Sequence, residues 1–222
     1  MKKIFKASVT IIISGMFLIA FTACECCKKG EGEMEKTIQA APQSAEQCGK
    51  DTLEIIFERK SVRNYKPDAV SKEHLENIVK AGMAAPTARD RRPWEFIVID
   101  DREMLDKLAE GLPYAKMAKQ ASAGIIVAGD LEKQNGGADS PYWIMDCSAA
   151  IQNVLLAVEH LGLGAVWTAL YPNQDRIDVV RNLFPEMPQT IVPLAFIPVG
   201  VPQGTDKPKD KYNPEQVRWN KW

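Results

Sequence analysis

Apolar positions along this chain recur with two periods, and the changes of period mark the elements. In "DTLEIIFER" Leu53, Ile56 and Phe57 fall at helical spacing and predict a short helix with one apolar face. "VRNYKPDAV" breaks that rhythm at Pro67 and reads as extended. "SKEHLENIVKAGMAA" opens on Ser71 as an N-cap, with His74 near it and Glu73 one place early for a capping box. It then sets Leu75, Ile78, Val79 and Gly82 on one face and stops at Pro86. "WEFIVID" and "GIIVAGD" are β-rich runs, separated by the helical pattern "DREMLDKLAEG". Residues 141–161, "PYWIMDCSAAIQNVLLAVEHL", are apolar nearly all round, so this helix should cross the interior; Ala149, Ala150 and Ala157 permit close packing. "GAVWTAL" reads as a third strand and "DRIDVVRNLF" as a helix. "VPLAFIPVGVP" reads as a fourth strand, which Pro193 and Pro198 place near an edge or interrupt. Few strands among many helices give an α+β or α/β domain.

The first 23 residues follow a different rule. "MKKIFK" is basic, and "ASVTIIISGMFLIAFTA" is apolar and ends in small residues just before Cys24. That order is a secretory signal peptide. "FTAC" resembles a bacterial lipobox, with Phe21 where Leu is usual, which makes Cys24 the lipidated first residue of the mature chain. A retained membrane anchor is the competing reading, but the run is short for a span, which needs about 20 residues. Residues 24–50 are polar and read as a flexible tether, leaving 51–222 as one domain. The expected location is therefore outside the cytoplasm, on a membrane.

Charge and cysteines narrow the chemistry. A net charge of −1 argues against a nucleic-acid-binding stripe. Four of the five cysteines (Cys24, Cys26, Cys27, Cys48) precede the domain, only Cys147 lies within it, and His74 and His160 stand alone. No metal site is expected. "GLGAVW" follows a helix and enters a strand, the reverse of the dinucleotide fingerprint.

Two stretches remain. "ERKSVRNY" (58–65) gathers Arg59, Lys60 and Arg63 around Ser61. A solvated helix end explains such a triplet, and so does an anion site. In an extended segment Arg59, Ser61 and Arg63 would point the same way and converge on one phosphate. "AAPTARDRRPWEF" is an ordinary basic loop or a place where small residues let backbone N–H groups approach a planar ligand.

Together these stretches resemble the nitroreductase family of flavin mononucleotide (FMN) enzymes. Arg59, Ser61, Arg63 and Tyr65 match its opening Arg-x-Ser-x-Arg and aromatic residue. "PTARDRRPW" matches its Pro-Ser-x-x-Asn-x-Gln-Pro-Trp, with Asp90 replacing Asn and Arg92 replacing Gln. "DCSAAIQNVLLAVEHLGLGAVW" matches its central helix, and "IPVGVPQGTDKPKDKY" its C-terminal Pro-x-Gly-x-Pro and basic pair.

The resemblance implies a three-layer α+β fold, with a mostly antiparallel sheet flanked by helices and a long buried central helix. It implies FMN held by Arg59, Lys60, Ser61 and Arg63, with Lys209 and Lys211 closing on the phosphate. Pro86, Thr87 and Ala88 would reach the ring from the other subunit of a homodimer, near Asp90. Asp146 would lie beside it, and Trp167, Thr168, Ala169 and Leu170 would line it. Tyr114, Lys116, Tyr142 and Trp143 are candidates for the mouth. The implied activity is NAD(P)H-linked reduction of nitroaromatics, quinones or similar acceptors by hydride transfer at flavin N5, with no assigned catalytic side chain. The alternative is a membrane-tethered flavin protein for electron transfer without NAD(P)H-driven turnover.

Overall fold

The β-rich runs centred on Ile97 and Ile126 pair with each other, and the second of them pairs with the last strand of the chain. The computed structural model describes residues 51–137 and 140–222. The expected signal peptide, tether and lipidated Cys24 lie outside these residues. The elements, in order, are α1 (Thr52–Glu58), α2 (Lys72–Met83), β1 (Trp94–Ile99), α3 (Arg102–Gly111) and β2 (Ala123–Asp130). Then come α4 (Tyr142–His160), β3 (Gly164–Ala165), β4 (Thr168–Ala169), α5 (Gln174–Leu183) and β5 (Ile191–Gly200).

The sheet runs β1-β2-β5-β3, with β4 also on β5, and every pairing is antiparallel. Residues alternate between its faces, as a pleated strand requires. Ile125, Val127, Ala195 and Ile197 pack with α2 and α4 on one side. Ile126 and Phe196 pack with α3 and α5 on the other. The result is a three-layer α+β fold with α4 buried along most of its length. Caps fix the helix starts: Ser71 accepts from His74 N, Asp101 from Met104 N, and Asn173 from Arg176 N.

The structure settles one alternative and changes two readings. The prolines of β5 mark an interruption and not an edge: the strand lies between β2 and the short strands β3 and β4. Its prolines are tolerated because each meets an irregularity. Pro193 adjoins a bulge at Leu194, where Val127 faces Ala195 but Ala128 faces Pro193. Pro198 falls opposite the gap between β3 and β4, and its carbonyl accepts from the Tyr65 hydroxyl. "GAVWTAL" is not one strand, since Val166 and Trp167 interrupt it. Finally, α1 buries nothing, and its apolar residues Leu53, Ile56 and Phe57 are exposed.

Candidate cofactor site

The segment after α1 is held extended against the ends of β3 and β5. Val62 N donates to Ala165 O and Lys66 N to Val201 O. Val62 and Tyr65 are buried. Val62 packs so close to β3 that a Cβ on Gly164 would lie 2.6 Å from its Cγ1. The Tyr65 hydroxyl donates to Val62 O at 2.8 Å and Pro198 O at 3.2 Å, and burial pushes its pKa well up. With these two side chains pinned inward, Ser61 and Arg63 are left facing out.

Arg59, Lys60, Ser61 and Arg63 line one cleft of about 420 Å³, together with Thr205, Asp206, Lys207, Lys209 and Lys211. The cleft thus gathers six cations and two hydroxyls against one carboxylate. Lys60 lines the cleft as well, but its ammonium is paired with the buried Glu159 of α4, at 2.9 and 3.0 Å. Thr205, Asp206 and Lys207 were missed by sequence reasoning. They belong to an irregular segment with no periodicity to flag it. Asp206 Oδ2 is buried with no hydrogen-bond partner among the described residues.

Arg63 also lines a second cleft, of about 480 Å³, with Pro113, Tyr114, Lys116, Met117, Val166, Trp167, Thr168, Ala169 and Arg176. The expected Trp167, Thr168 and Ala169 are therefore brought together with the expected mouth residues Tyr114 and Lys116. Leu170 does not line this cleft; its side chain packs in the core with Ile126 and Phe196, beside a small adjoining pocket that it shares with Tyr114, Thr168, Ala169 and Arg176. Trp143 is likewise a core residue, seated over Gly129 and edge-on to Tyr171 at 5.0 Å. Tyr142 is exposed but lines neither cleft.

A second group sits apart. Asp146, buried on α4, accepts from Ala88 N at 2.9 Å through Oδ1, while Oδ2 has no partner among the described residues. The adjoining loop holds Arg89, Asp90 and Arg92 at φ of 54°, 55° and 49°, a region costly for L side chains. Asp90 does not stand open; Arg92 grips both its oxygens and holds its carboxyl below the usual range. Pro86, Thr87, Ala88, Asp90 and Asp146 line neither cleft in the single chain.

An exposed surface accompanies this division. Phe57 is 71% exposed, and the final segment from Lys207 onward is exposed throughout, with Trp219 at 80%. Ile56, Phe57 and Tyr212 line a groove between α1 and that segment.

Comparison with known proteins gives the family. Residues 56–116 and 109–201 match the Nitroreductase family. This chain belongs to the nitroreductase family. A Methanothermobacter thermautotrophicus relative named for NADH dehydrogenase/NAD(P)H nitroreductase activity is 44% identical over 174 residues, covering 78% of this chain and 88% of its own. A Parabacteroides distasonis nitroreductase of the same description has a crystal structure 53% identical to this chain, with TM-score 0.72, covering 78% of this chain and 99% of its own. A Desulfovibrio desulfuricans nitroreductase, described as complexed with FMN, is 28% identical with TM-score 0.66, covering 78% of this chain and 98% of its own.

Proposed function

We propose that this nitroreductase-family chain is an FMN-dependent oxidoreductase that takes electrons from NAD(P)H and delivers them to nitroaromatic, quinone or similar acceptors. One observation carries the reading: a strongly cationic cleft runs, through the shared Arg63, into a cleft walled by Trp167, Thr168 and Ala169. The donor set suits the cofactor. Arg59, Arg63, Lys209 and Lys211 with the Ser61 hydroxyl offer directed, charge-assisted bonds to a phosphate. Asp206 Oδ2, an acceptor without a donor among the described residues, suits a hydroxyl of the ribityl chain. When bound, FMN supplies two-electron chemistry through hydride transfer at N5. The protein's part is to hold, orient and shield, and no side chain here is asked to act as nucleophile.

The site is completed across a homodimer. Pro86–Ala88 and Asp146 form a unit that lines neither cleft of their own chain, so a second copy must bring them to it. The exposed apolar residues of α1 and of the C-terminal segment suit that contact. The domain is held outside the cytoplasm by lipid on Cys24, a reading supported by the order of basic start, apolar run, "FTAC" and polar stretch. Cys24→Ser should abolish acylation and release the domain from the membrane fraction, or leave an uncleaved precursor, as read by mass spectrometry.

The decisive experiment is anaerobic titration of the purified protein. It should be yellow, bleach with NADH or NADPH, and recolour with a nitroaromatic or quinone. A colourless protein removes the cofactor assignment. A yellow protein that neither donor bleaches removes the NAD(P)H-linked activity.

A further inference from the structure

The second cleft carries more positive charge than its ring-binding role requires. Arg63, Lys116 and Arg176 line it, and no carboxylate does. None of the three makes an ion pair among the described residues. Arg63 belongs also to the phosphate cleft and is committed there. Lys116 and Arg176 lie away from the phosphate cleft, beside Tyr114, and are not so committed.

Arg176 is held in place. Its guanidinium lies 5.0 Å from the centre of the Tyr114 ring, and Nη1 donates to Ala169 O at 3.0 Å. Stacking and one backbone bond fix the plane of the fork while leaving its other N–H groups to bond elsewhere. Lys116 adds a mobile point charge on the same wall. Apolar and aromatic surface from Pro113, Tyr114, Met117 and Trp167 lies between them. The loop that a partner copy would bring adds Arg89 and Arg91, while its Asp90 is already taken by Arg92. A cleft of one sign with low-dielectric walls concentrates ligands of the opposite sign.

Resting on the function proposed above, we infer that the acceptor this site selects is a planar molecule bearing a fixed negative charge, a carboxylate or sulfonate, bound by Lys116 and Arg176. For an anionic nitroaromatic the first turnover balances as NAD(P)H + H⁺ + ArNO₂ → NAD(P)⁺ + ArNO + H₂O. The nicotinamide is oxidised by two electrons, one N–O bond breaks, and its oxygen leaves as water. The anionic substituent takes no part in the reaction and serves only in recognition.

The test compares 4-nitrobenzoate with 4-nitrobenzamide, a neutral molecule of nearly the same shape. Equilibrium binding to the purified flavoprotein is measured by calorimetry and kcat/KM with each acceptor under anaerobic conditions. The wild type should prefer the carboxylate at least tenfold in both measurements. Lys116→Gln and Arg176→Gln should each cut the preference severalfold, and the double variant should abolish it. Arg176→Lys should restore part of it, since charge returns without the stacked fork. Thermal melting of each variant identifies any that fails to fold, and Lys116→Gln, on an exposed side chain, carries the test if Arg176→Gln does.

Equal binding of the two acceptors by the wild type overturns the inference. So does an undiminished preference in the double variant. A rise in KM for NADH or NADPH equal to the rise for 4-nitrobenzoate also overturns it, because the two cations would then serve the donor's pyrophosphate. A protein that binds no flavin fails the reading of the site itself, and the acceptor assignment falls with it. Turnover of both acceptors without preference leaves that reading standing and rejects this one alone.

Discussion

Arg59 and Lys60 are sequence neighbours with different partners. Arg59 is the C-cap of α1 and lines the cationic cleft; Lys60 lines it too, but its ammonium reaches Glu159. Arg59→Ala should therefore weaken FMN binding by about ten- to a hundredfold, the worth of a charged contact of roughly 1.5–3 kcal/mol, read by flavin fluorescence titration. Lys60→Met should instead lower unfolding stability by about 1.5–3 kcal/mol in urea, because it leaves the Glu159 carboxylate inside without this cation, and should move FMN affinity less than Arg59→Ala does. The sequence showed three cations around a serine but not this division, since the Glu159 partner is 99 residues away. Asp90 gives a pH expectation. Arg92 lowers its folded pKa, so the pairing is present above the ordinary Asp value of about 4 and is lost as pH falls through the lower folded value. Carboxyl-carbon NMR should find Asp90 titrating below the usual range in the wild type and returning toward it in Arg92→Gln.

Among the elements, the extended run 59–66 is held by the Tyr65 side chain as well as by its backbone hydrogen bonds. Its hydroxyl joins that run to β5 by serving carbonyls of both. Tyr65→Phe keeps the ring over Gly200 but leaves two carbonyls without this donor. The expected cost is about 1–3 kcal/mol in thermal or urea unfolding, with faster amide exchange along 59–66. Cys147 is the converse case, a side chain sealed inside α4. Burial pushes its thiol up to about 12, so it should be alkylated by iodoacetamide at pH 8 more slowly than Cys26, Cys27 and Cys48, as read by peptide mass spectrometry. Helix α4 and strands β1 and β2 were legible because their apolar patterns are long and unbroken. The central place of β5 was not, because a bulge at Leu194 and a gap at Val166 and Trp167 are tertiary events that no local pattern encodes. The helical period of α1 was legible, but Leu53, Ile56 and Phe57 read the same whether their cover comes from this chain or another.

For the whole molecule, that exposed face and the C-terminal segment set the expected assembly. Sedimentation should give a dimer, and removal of residues 212–222, with Trp219 and Trp222, should shift it toward monomer with loss of flavin. A flavin-saturated monomer would contradict a shared site. The separation of the Ala88–Asp146 unit from the Arg59–Arg63 cleft then has a thermodynamic result. With the site shared between two copies as proposed, cofactor binding and self-association should be linked equilibria, each strengthening the other by the same factor. The apparent dissociation constant for FMN should then rise on dilution, although no contact within the chain changes. Melting temperature should climb with protein concentration, and climb further when flavin is added. Occupancy of the site would thus measure how much of this protein is present in one place. A few copies scattered over a large surface would lose flavin, while the same number gathered into a small area would keep it.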